Sequence, residues 1–392
     1  MVPAARRRGR QRYEKRERLD MAEPDAVKII HGNEACVEGA ILAGCKFFAG
    51  YPITPASEVA EVMAAKLPAV GGVFMQMEDE LASINAIVGA SWGGIKAMTA
   101  TSGPGFSLMQ EGIGYAAVTE TPCVIVNVMR GGPGTGQPTL SSQQDVYQAK
   151  YGSHGDYEPI VLVPSSAQEA LDLTVRAFNL AEEFLVPVIV LTDEIVGHTR
   201  EKVAIRSPGE IKSRRKPGQG EYIPFRPMPD HVPLRANFGE GYHILVDGQL
   251  HDEYGNRVGH IPEKSAQHVQ RLCDKINQNL DRISDVETRN IEDAEIVIVS
   301  YGSSSRPALR AMKEARAQGL KVGWVKLKTL FPFPDEQLST MPARAFLVPE
   351  MNVGKIVREV KRATGKLCLA LPKLGGELHT PAEILKALKE VV

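Results

Sequence analysis

Short apolar runs alternate with helical patterns along most of this chain. Between Ala26 and about Arg200, the runs Phe47–Gly50, Val73–Met77, Ala97–Thr101, Val124–Met129, Ile160–Val163 and Val188–Thr192 are each bounded by Gly, Pro or polar residues. Such runs read as buried strands. Helical spacing marks the stretches Glu34–Ala43, Leu81–Ser91, Ser107–Ala117 and Ala167–Glu183. Continuously apolar strands alternating with helices predict an α/β fold, with a parallel sheet covered on both faces. Ligands of such sheets gather at the carboxyl ends of the strands.

From about 201 to 285 the pattern breaks. Pro208, Pro217, Pro224, Pro227, Pro229 and Pro233 interrupt it, together with the basic stretch Lys212, Arg214, Arg215 and Lys216. This segment reads as an irregular linker that ends in a helix around Gln267–Asn279. Alternation then resumes. Glu295–Tyr301, Val322–Leu327, Phe346–Pro349 and Leu367–Ala370 read as strands, and Arg306–Gln318, Gly354–Ala363 and Pro381–Val391 as helices. A second, smaller α/β domain over 286–392 is expected, after a first over 26–200.

Composition narrows the function classes. A length of 392 residues favours two domains. The formal net charge of −1 gives no bulk field for nucleic acid or membrane. No apolar run approaches the roughly 20 residues of a membrane span. The five cysteines form no CxxC pair, so the chain has no zinc or iron–sulfur signature of its own. Their odd, dispersed placement suits a reducing cytoplasm. Residues 1–25 open with Arg6, Arg7, Arg8, Arg10, Arg12, Lys15, Arg16 and Arg18. They read as a disordered basic tail, with Met21 as an alternative start and a nucleic-acid-binding arm as the sharper alternative.

Several segments could carry chemistry. Thr101-Ser102-Gly103-Pro104-Gly105 follows a strand and opens a helix. Its glycines let the backbone turn and approach a ligand, although by itself it is a strand–helix turn. Met77-Glu78-Asp79-Glu80 precedes a helix containing Ala82, Ala86, Gly89 and Ala90. Three acids there can simply complement the helix dipole. In Gly50-Tyr51-Pro52-Ile53-Thr54-Pro55 two prolines bracket a hydroxyl, and Pro55 biases Thr54 towards extended backbone. Arg130 ends an apolar strand, where a guanidinium can grip a carboxylate or snorkel. The glycines after it lack the Lys-Ser/Thr of a phosphate loop. His154, in Gly152-Ser153-His154-Gly155-Asp156, is either a turn residue or a ligand for a distal carboxylate. Tyr301-Gly302-Ser303-Ser304-Ser305 and Glu350-Met351-Asn352-Val353-Gly354 follow strands and could serve coenzyme A, a subunit interface or helix capping. His251-Asp252-Glu253 lacks metal-site spacing and reads as surface.

Taken together, YPITP, the MEDELA run, Thr99–Ala116, Thr119–Val126, Thr135–Thr139 and Leu191–His198 resemble the alpha subunit of thiamin-diphosphate-dependent 2-oxoacid:ferredoxin oxidoreductases. The resemblance covers about Ile29 to Val392 and leans to the 2-oxoglutarate branch, with pyruvate and branched-chain branches open. It implies a pyrimidine-binding, doubly wound domain followed by a transketolase C-terminal-like domain. It implies that Glu80 hydrogen-bonds the aminopyrimidine of the cofactor and so activates it. It places Thr101, Ser102 and Gly103 at the cofactor, Thr54 and Arg130 at the oxoacid, and His154 as a candidate for its distal carboxylate. No GDG diphosphate motif occurs in the chain, so Mg²⁺ ligation and a [4Fe–4S] cluster are expected from a beta subunit, in an α2β2 assembly. Coenzyme A would take the acyl group and ferredoxin the electrons. An NAD-dependent dehydrogenase and a non-catalytic scaffold subunit are the alternatives from other classes.

Overall fold

The computed structural model describes residues 26–218 and 220–391. The expectation of a basic tail lies outside them. Strands run in chain order as β1 (Ala26–His31), β2 (Phe47–Gly50), β3 (Val73–Gln76), β4 (Ala97–Thr101), β5 (Cys123–Gly131), β6 (Gln137–Ser141), β7 (Ile160–Leu162), β8 (Pro187–Asp193), β9 (Arg200–Ile205), β10 (Val286–Arg289), β11 (Ile296–Ser300), β12 (Val322–Leu327), β13 (Thr329–Phe331), β14 (Ala345–Glu350) and β15 (Leu367–Pro372).

The fold is α/β, as the alternation predicts. The larger sheet has the order β13-β7-β8-β5-β4-β2-β3, with β6 paired to β5 off this path. Its strands from β7 through β3 are mutually parallel. Helices lie on both faces, and the central strand β5 is buried along its whole length. The second sheet has the order β10-β12-β11-β14-β15 and is parallel except at β10.

Three features escaped the periodicity. Strands β1 and β9 pair antiparallel in a sheet of their own. β13, from the second half of the chain, joins the larger sheet antiparallel to β7. The helix expected over Ser107–Ala117 is two helices, Gly103–Leu108 and Gln110–Val118. A three-residue edge strand and a one-residue helix break leave no periodic signal in the sequence.

The proline-rich segment is irregular, but it is packed as a strap across the amino ends of the large sheet's strands. The buried Arg214 donates to both carboxylate oxygens of Glu182 (2.9 and 2.6 Å) and to the Ser91 carbonyl (2.6 Å). Arg235 lies over the Trp92 ring at 4.1 Å and donates to the Glu120 carbonyl (3.0 Å). The helix Pro262–Asn277 sends Arg271 (2.8 and 2.9 Å) and Lys275 (2.8 Å) to the fully buried Glu120 carboxylate. His251, expected at the surface, is instead buried, with its ring between Phe225 (4.1 Å) and His268 (4.2 Å). The strap needs apolar filling, and His251 supplies part of it.

The two motifs of the second unit meet the first in a buried polar network. Gln143 donates to the Tyr301 carbonyl (2.9 Å) and accepts from Ser304 and the Met351 amide (both 3.1 Å). Asn352 donates to the Gln143 carbonyl (2.7 Å), and Asp193 accepts from the Ser303 amide (2.8 Å). Glu350 accepts from Tyr301 (2.8 Å) and from the amides of Ile356 and Val357 (2.9 and 3.1 Å), which open the helix Ile356–Thr364. Both motifs are thus engaged in docking the two units, and Glu350 also caps a helix.

The Glu120 centre yields a stability prediction. Burial alone would raise its carboxyl, but Arg271 and Lys275 overrule this and hold it well below the usual carboxylate range. That stabilisation is present above the ordinary value of 4.5 and is lost as pH falls through the depressed one. Glu120→Gln leaves buried cations without their anion and is expected to cost about 3–5 kcal/mol. A urea titration at pH 7 should show a lower midpoint; an unchanged midpoint would show that this ion cluster does not secure the strap.

Candidate active site

Four neighbouring parallel strands, β5, β4, β2 and β3, bring their carboxyl ends side by side. Each delivers one element of the cluster. The Tyr51–Pro55 loop follows β2, Glu80 follows β3, Thr101 to Gly105 follow β4, and Arg130 ends β5. This is where an open parallel sheet exposes its strand ends to a ligand.

Glu80 is the first residue of the helix Glu80–Trp92, and Asp79 caps that helix by accepting from the Ala82 amide (2.7 Å). Asp79 therefore meets the capping demand, and the Glu80 carboxyl turns inward, only 4% exposed. Burial pushes this carboxyl above its usual range and Asp79 adds to that, while the helix amide and Arg130 partly offset it. A Cβ on Gly105 would come within 2.2 Å of both Glu80 Oε1 and Thr101 Oγ1. Only glycine fits there, and the carboxyl lies directly against that backbone.

Arg130 is 6% exposed. Its Nη1 donates to the Thr54 carbonyl (2.6 Å) and its Nη2 to the Thr135 carbonyl (2.9 Å). Burial pulls the guanidinium below its ordinary pKa, with Asp145 and Glu80 opposing. Gly103 has a φ of +32°, and a Cβ on it would stand 3.8 Å from Arg130 Nε. Arg130 Nε, Thr101 Oγ1 and Ser102 Oγ are buried without hydrogen-bond partners. Unsatisfied buried polar atoms are uncommon and call for a ligand or a strained role.

Thr54 is exposed and sits in a turn, with a cis bond to Pro55. Thr54, Glu80, Thr101, Ser102, Gly103 and Arg130 are thus brought to one end of the sheet. His154 is not. Its loop leads into the amino end of β7, and Tyr157 to Pro159 line a cleft with Val186 and Pro187 at the amino end of β8. His154 is exposed there.

Sequence reasoning missed three residues of this region. Asn127, a lone polar residue in an apolar strand, donates to Asp145 (3.0 Å). Burial raises the Asp145 carboxyl, against Asn127, Lys355 and Arg130. Asn33 reaches the Thr54 loop from the helix Gly32–Leu42. An isolated polar residue inside a buried strand was the signal available for Asn127. Asp145 and Asn33 carried none. Among the described residues, no group of three His, Cys, Asp or Glu side chains could hold a metal ion, and no helix is long and apolar enough to cross a membrane.

A doubly wound sheet with a buried acid and a guanidinium at its strand ends defines a small-molecule site of the cofactor-binding α/β class. Residues 38–271 match the family model described as pyruvate flavodoxin/ferredoxin oxidoreductase, thiamine diphosphate-binding, and residues 294–384 match pyruvate:ferredoxin oxidoreductase core domain II. The chain belongs to the pyruvate flavodoxin/ferredoxin oxidoreductase family. It is 54% identical over 365 residues to the 2-oxoglutarate synthase subunit KorA of Methanothermobacter marburgensis, covering 92% of this chain and 97% of that one. Identity to the KorA subunit of Methanocaldococcus jannaschii is 52%, over 92% and 99% of the two chains. A solved 2-oxoglutarate:ferredoxin oxidoreductase from Magnetococcus marinus, with 2-oxoglutarate, coenzyme A and succinyl-CoA bound, superposes with a TM-score of 0.90 at 36% identity. The match covers 95% of this chain and 66% of that one.

The raised Glu80 pKa has a direct consequence. A buried carboxyl that must ionise in the folded state favours folding below its ordinary value of 4.5, and this preference is lost as pH rises through the raised one. Glu80→Gln removes that penalty. The melting temperature of the isolated variant should exceed that of the parent at pH 8, with the gap shrinking towards pH 4. A gap independent of pH would show that Glu80 ionisation carries no strain.

Proposed function

We propose that this chain is the alpha subunit of a 2-oxoglutarate:ferredoxin oxidoreductase, which converts 2-oxoglutarate and coenzyme A to succinyl-CoA and CO₂ while reducing ferredoxin. The observation that carries this reading is the buried Glu80 carboxyl, set against Gly105 and beside unpartnered hydroxyls. Identity to two 2-oxoglutarate synthase subunits along nearly their whole length favours this oxoacid over pyruvate or a branched-chain acid.

The donor set fits thiamin diphosphate. Bound there, this cofactor supplies the nucleophilic carbon that decarboxylation of an oxoacid needs. Glu80 would hydrogen-bond a ring nitrogen of the cofactor through its carboxyl, whose hold on a proton burial strengthens. Thr101 and Ser102 present hydroxyls free to hydrogen-bond the cofactor, and Gly103 keeps the backbone close. Arg130 retains the N–H of Nε unpaired, and its charge attracts the oxoacid carboxylate. The Thr54 hydroxyl stands on an exposed loop held by that same guanidinium. His154 has no part in this reading.

Exposed apolar side chains rim the strand ends: Tyr51, Met75, Leu81, Leu108 and Leu140. Such a rim favours a partner covering the site. We assign to a beta subunit, in a cytoplasmic α2β2 assembly, the ligation of Mg²⁺, the [4Fe–4S] cluster and the contact with ferredoxin.

The test is coexpression with the beta subunit, followed by assay of coenzyme-A-dependent viologen or ferredoxin reduction. We expect 2-oxoglutarate to be preferred over pyruvate and 3-methyl-2-oxobutanoate. Preference for another of these acids would overturn the substrate assignment. Glu80→Gln should keep thiamin diphosphate bound yet lower kcat by about 100-fold or more, the usual worth of a positioned acid. Unchanged turnover would remove Glu80 from its role.

A further inference from the structure

The Thr54 loop is gripped at two successive carbonyls by side chains of two different elements. Arg130 takes the Thr54 carbonyl (2.6 Å), and Asn33 Nδ2 takes the Pro55 carbonyl (2.8 Å). Asn33 is fully buried, although it belongs to the helix Gly32–Leu42 that follows β1, remote in sequence from the loop. The same Nδ2 donates to Glu58 Oε2 (3.0 Å), in the first turn of the helix Ser57–Lys66 that continues from the loop. One amide group therefore spans the last residue of the loop and the helix it enters. Two acceptors face this atom, so only the nitrogen of the side chain can occupy the position. Glu58 is steadied in turn by His198, 3.4 Å from the same Oε2. Behind Asn33 the fit is close: a Cβ on Gly197 would stand 2.9 Å from Asn33 Oδ1. The hydrogen bonds of Asn33 and Glu58 run to Pro55 and His198 and do not include Glu80 or the turn Thr101–Gly105.

We propose that Asn33 is a positioning residue which, through the Pro55 carbonyl and Glu58, sets the Thr54 loop for the oxoacid. This rests on the reading that Thr54 meets the oxoacid. A loop carrying an exposed hydroxyl contributes to binding only if its backbone is fixed beforehand, since ordering it on each encounter would weaken affinity. Arg130 fixes one carbonyl but also answers to Glu80 and Asp145. Asn33 answers to the loop and the helix after it, so its loss should be felt at the oxoacid and not at the cofactor.

The experiment uses the coexpressed complex with Asn33→Leu, Glu58→Ala, Thr54→Ala and the double variant Asn33→Leu/Thr54→Ala. Loss of the buried amide contacts is expected to raise KM for 2-oxoglutarate about tenfold, with KM for coenzyme A and the affinity for thiamin diphosphate unchanged. Glu58 is half-exposed, so Glu58→Ala folds even where Asn33→Leu does not. It should move the oxoacid KM in the same direction by about threefold. In the Thr54→Ala background, Asn33→Leu should add little, the signature of two residues acting as one unit. If Thr54→Ala leaves the oxoacid KM unchanged, the reading of Thr54 falls and this inference with it. If Thr54→Ala raises that KM while Glu58→Ala and Asn33→Leu do not, the positioning role alone is overturned. Equal rises in the KM of oxoacid and coenzyme A would reduce Asn33 to a general structural residue, and so overturn the proposal.

Discussion

A guanidinium buried at the end of the central strand is the constraint around which the carboxyl end of the sheet is built. β5 lies between β4 and β8 and pairs with β6 at its end, where Arg130 is 6% exposed. A buried charge costs several kcal/mol unless it is hydrogen-bonded and countered. Arg130 meets both needs by drawing carbonyls from the loops after β2 and β5, and by lying within the field of Glu80 and Asp145. The loops are consequently held by the charge as much as the charge is held by the loops.

The two ends of the sheet treat buried charge differently. At the amino end, Glu120 receives Arg271 and Lys275, and Glu182 receives Arg214 through paired hydrogen bonds. Arg235 keeps unpartnered nitrogens there, but its face rests on Trp92 and Phe225. That end is closed by the strap. At the carboxyl end a raised acid, a lowered guanidinium and free hydroxyls remain. Groups kept short of partners in the protein alone are the ones available to a ligand, at the expense of stability.

The sequence made the large sheet legible because β2, β4, β5, β7 and β8 are continuous apolar runs, and continuity is what burial on both faces requires. Glu80, Thr101 and Arg130 were legible as candidates at the connections that follow or end strands, and their roles came only with the family resemblance of the motifs that carry them. What stayed hidden depends on contacts between distant segments. Nothing local in His251 announces that a proline-rich strap will stack it between Phe225 and His268. Nothing in Gln143 announces that it will bind Tyr301, Ser304 and Met351. The separation of His154 from the cluster stayed hidden for the same reason. A glycine-flanked histidine looks alike before and after a strand, and only the strand direction tells that this loop enters β7 at its amino end.

The second unit bears on the site through the segment that follows β5. Ser142 donates to the Arg130 carbonyl (2.6 Å), and Gln144 accepts from the Gly132 amide (2.8 Å). Gln143 between them is fixed by Tyr301, Ser304, Met351 and Asn352 of the second unit. Three successive residues therefore hold the second unit with the middle side chain and the Arg130 strand end with the outer two. A polar network of this kind is stabilising only when all its members are satisfied, so it admits one docking geometry and resists small slips. The glycines at 132, 134 and 136 would otherwise leave the loop after β5 free to sample many conformations. Docking removes that freedom at its base and leaves the tip exposed, which fixes Arg130 while keeping the surface above it open to a partner chain.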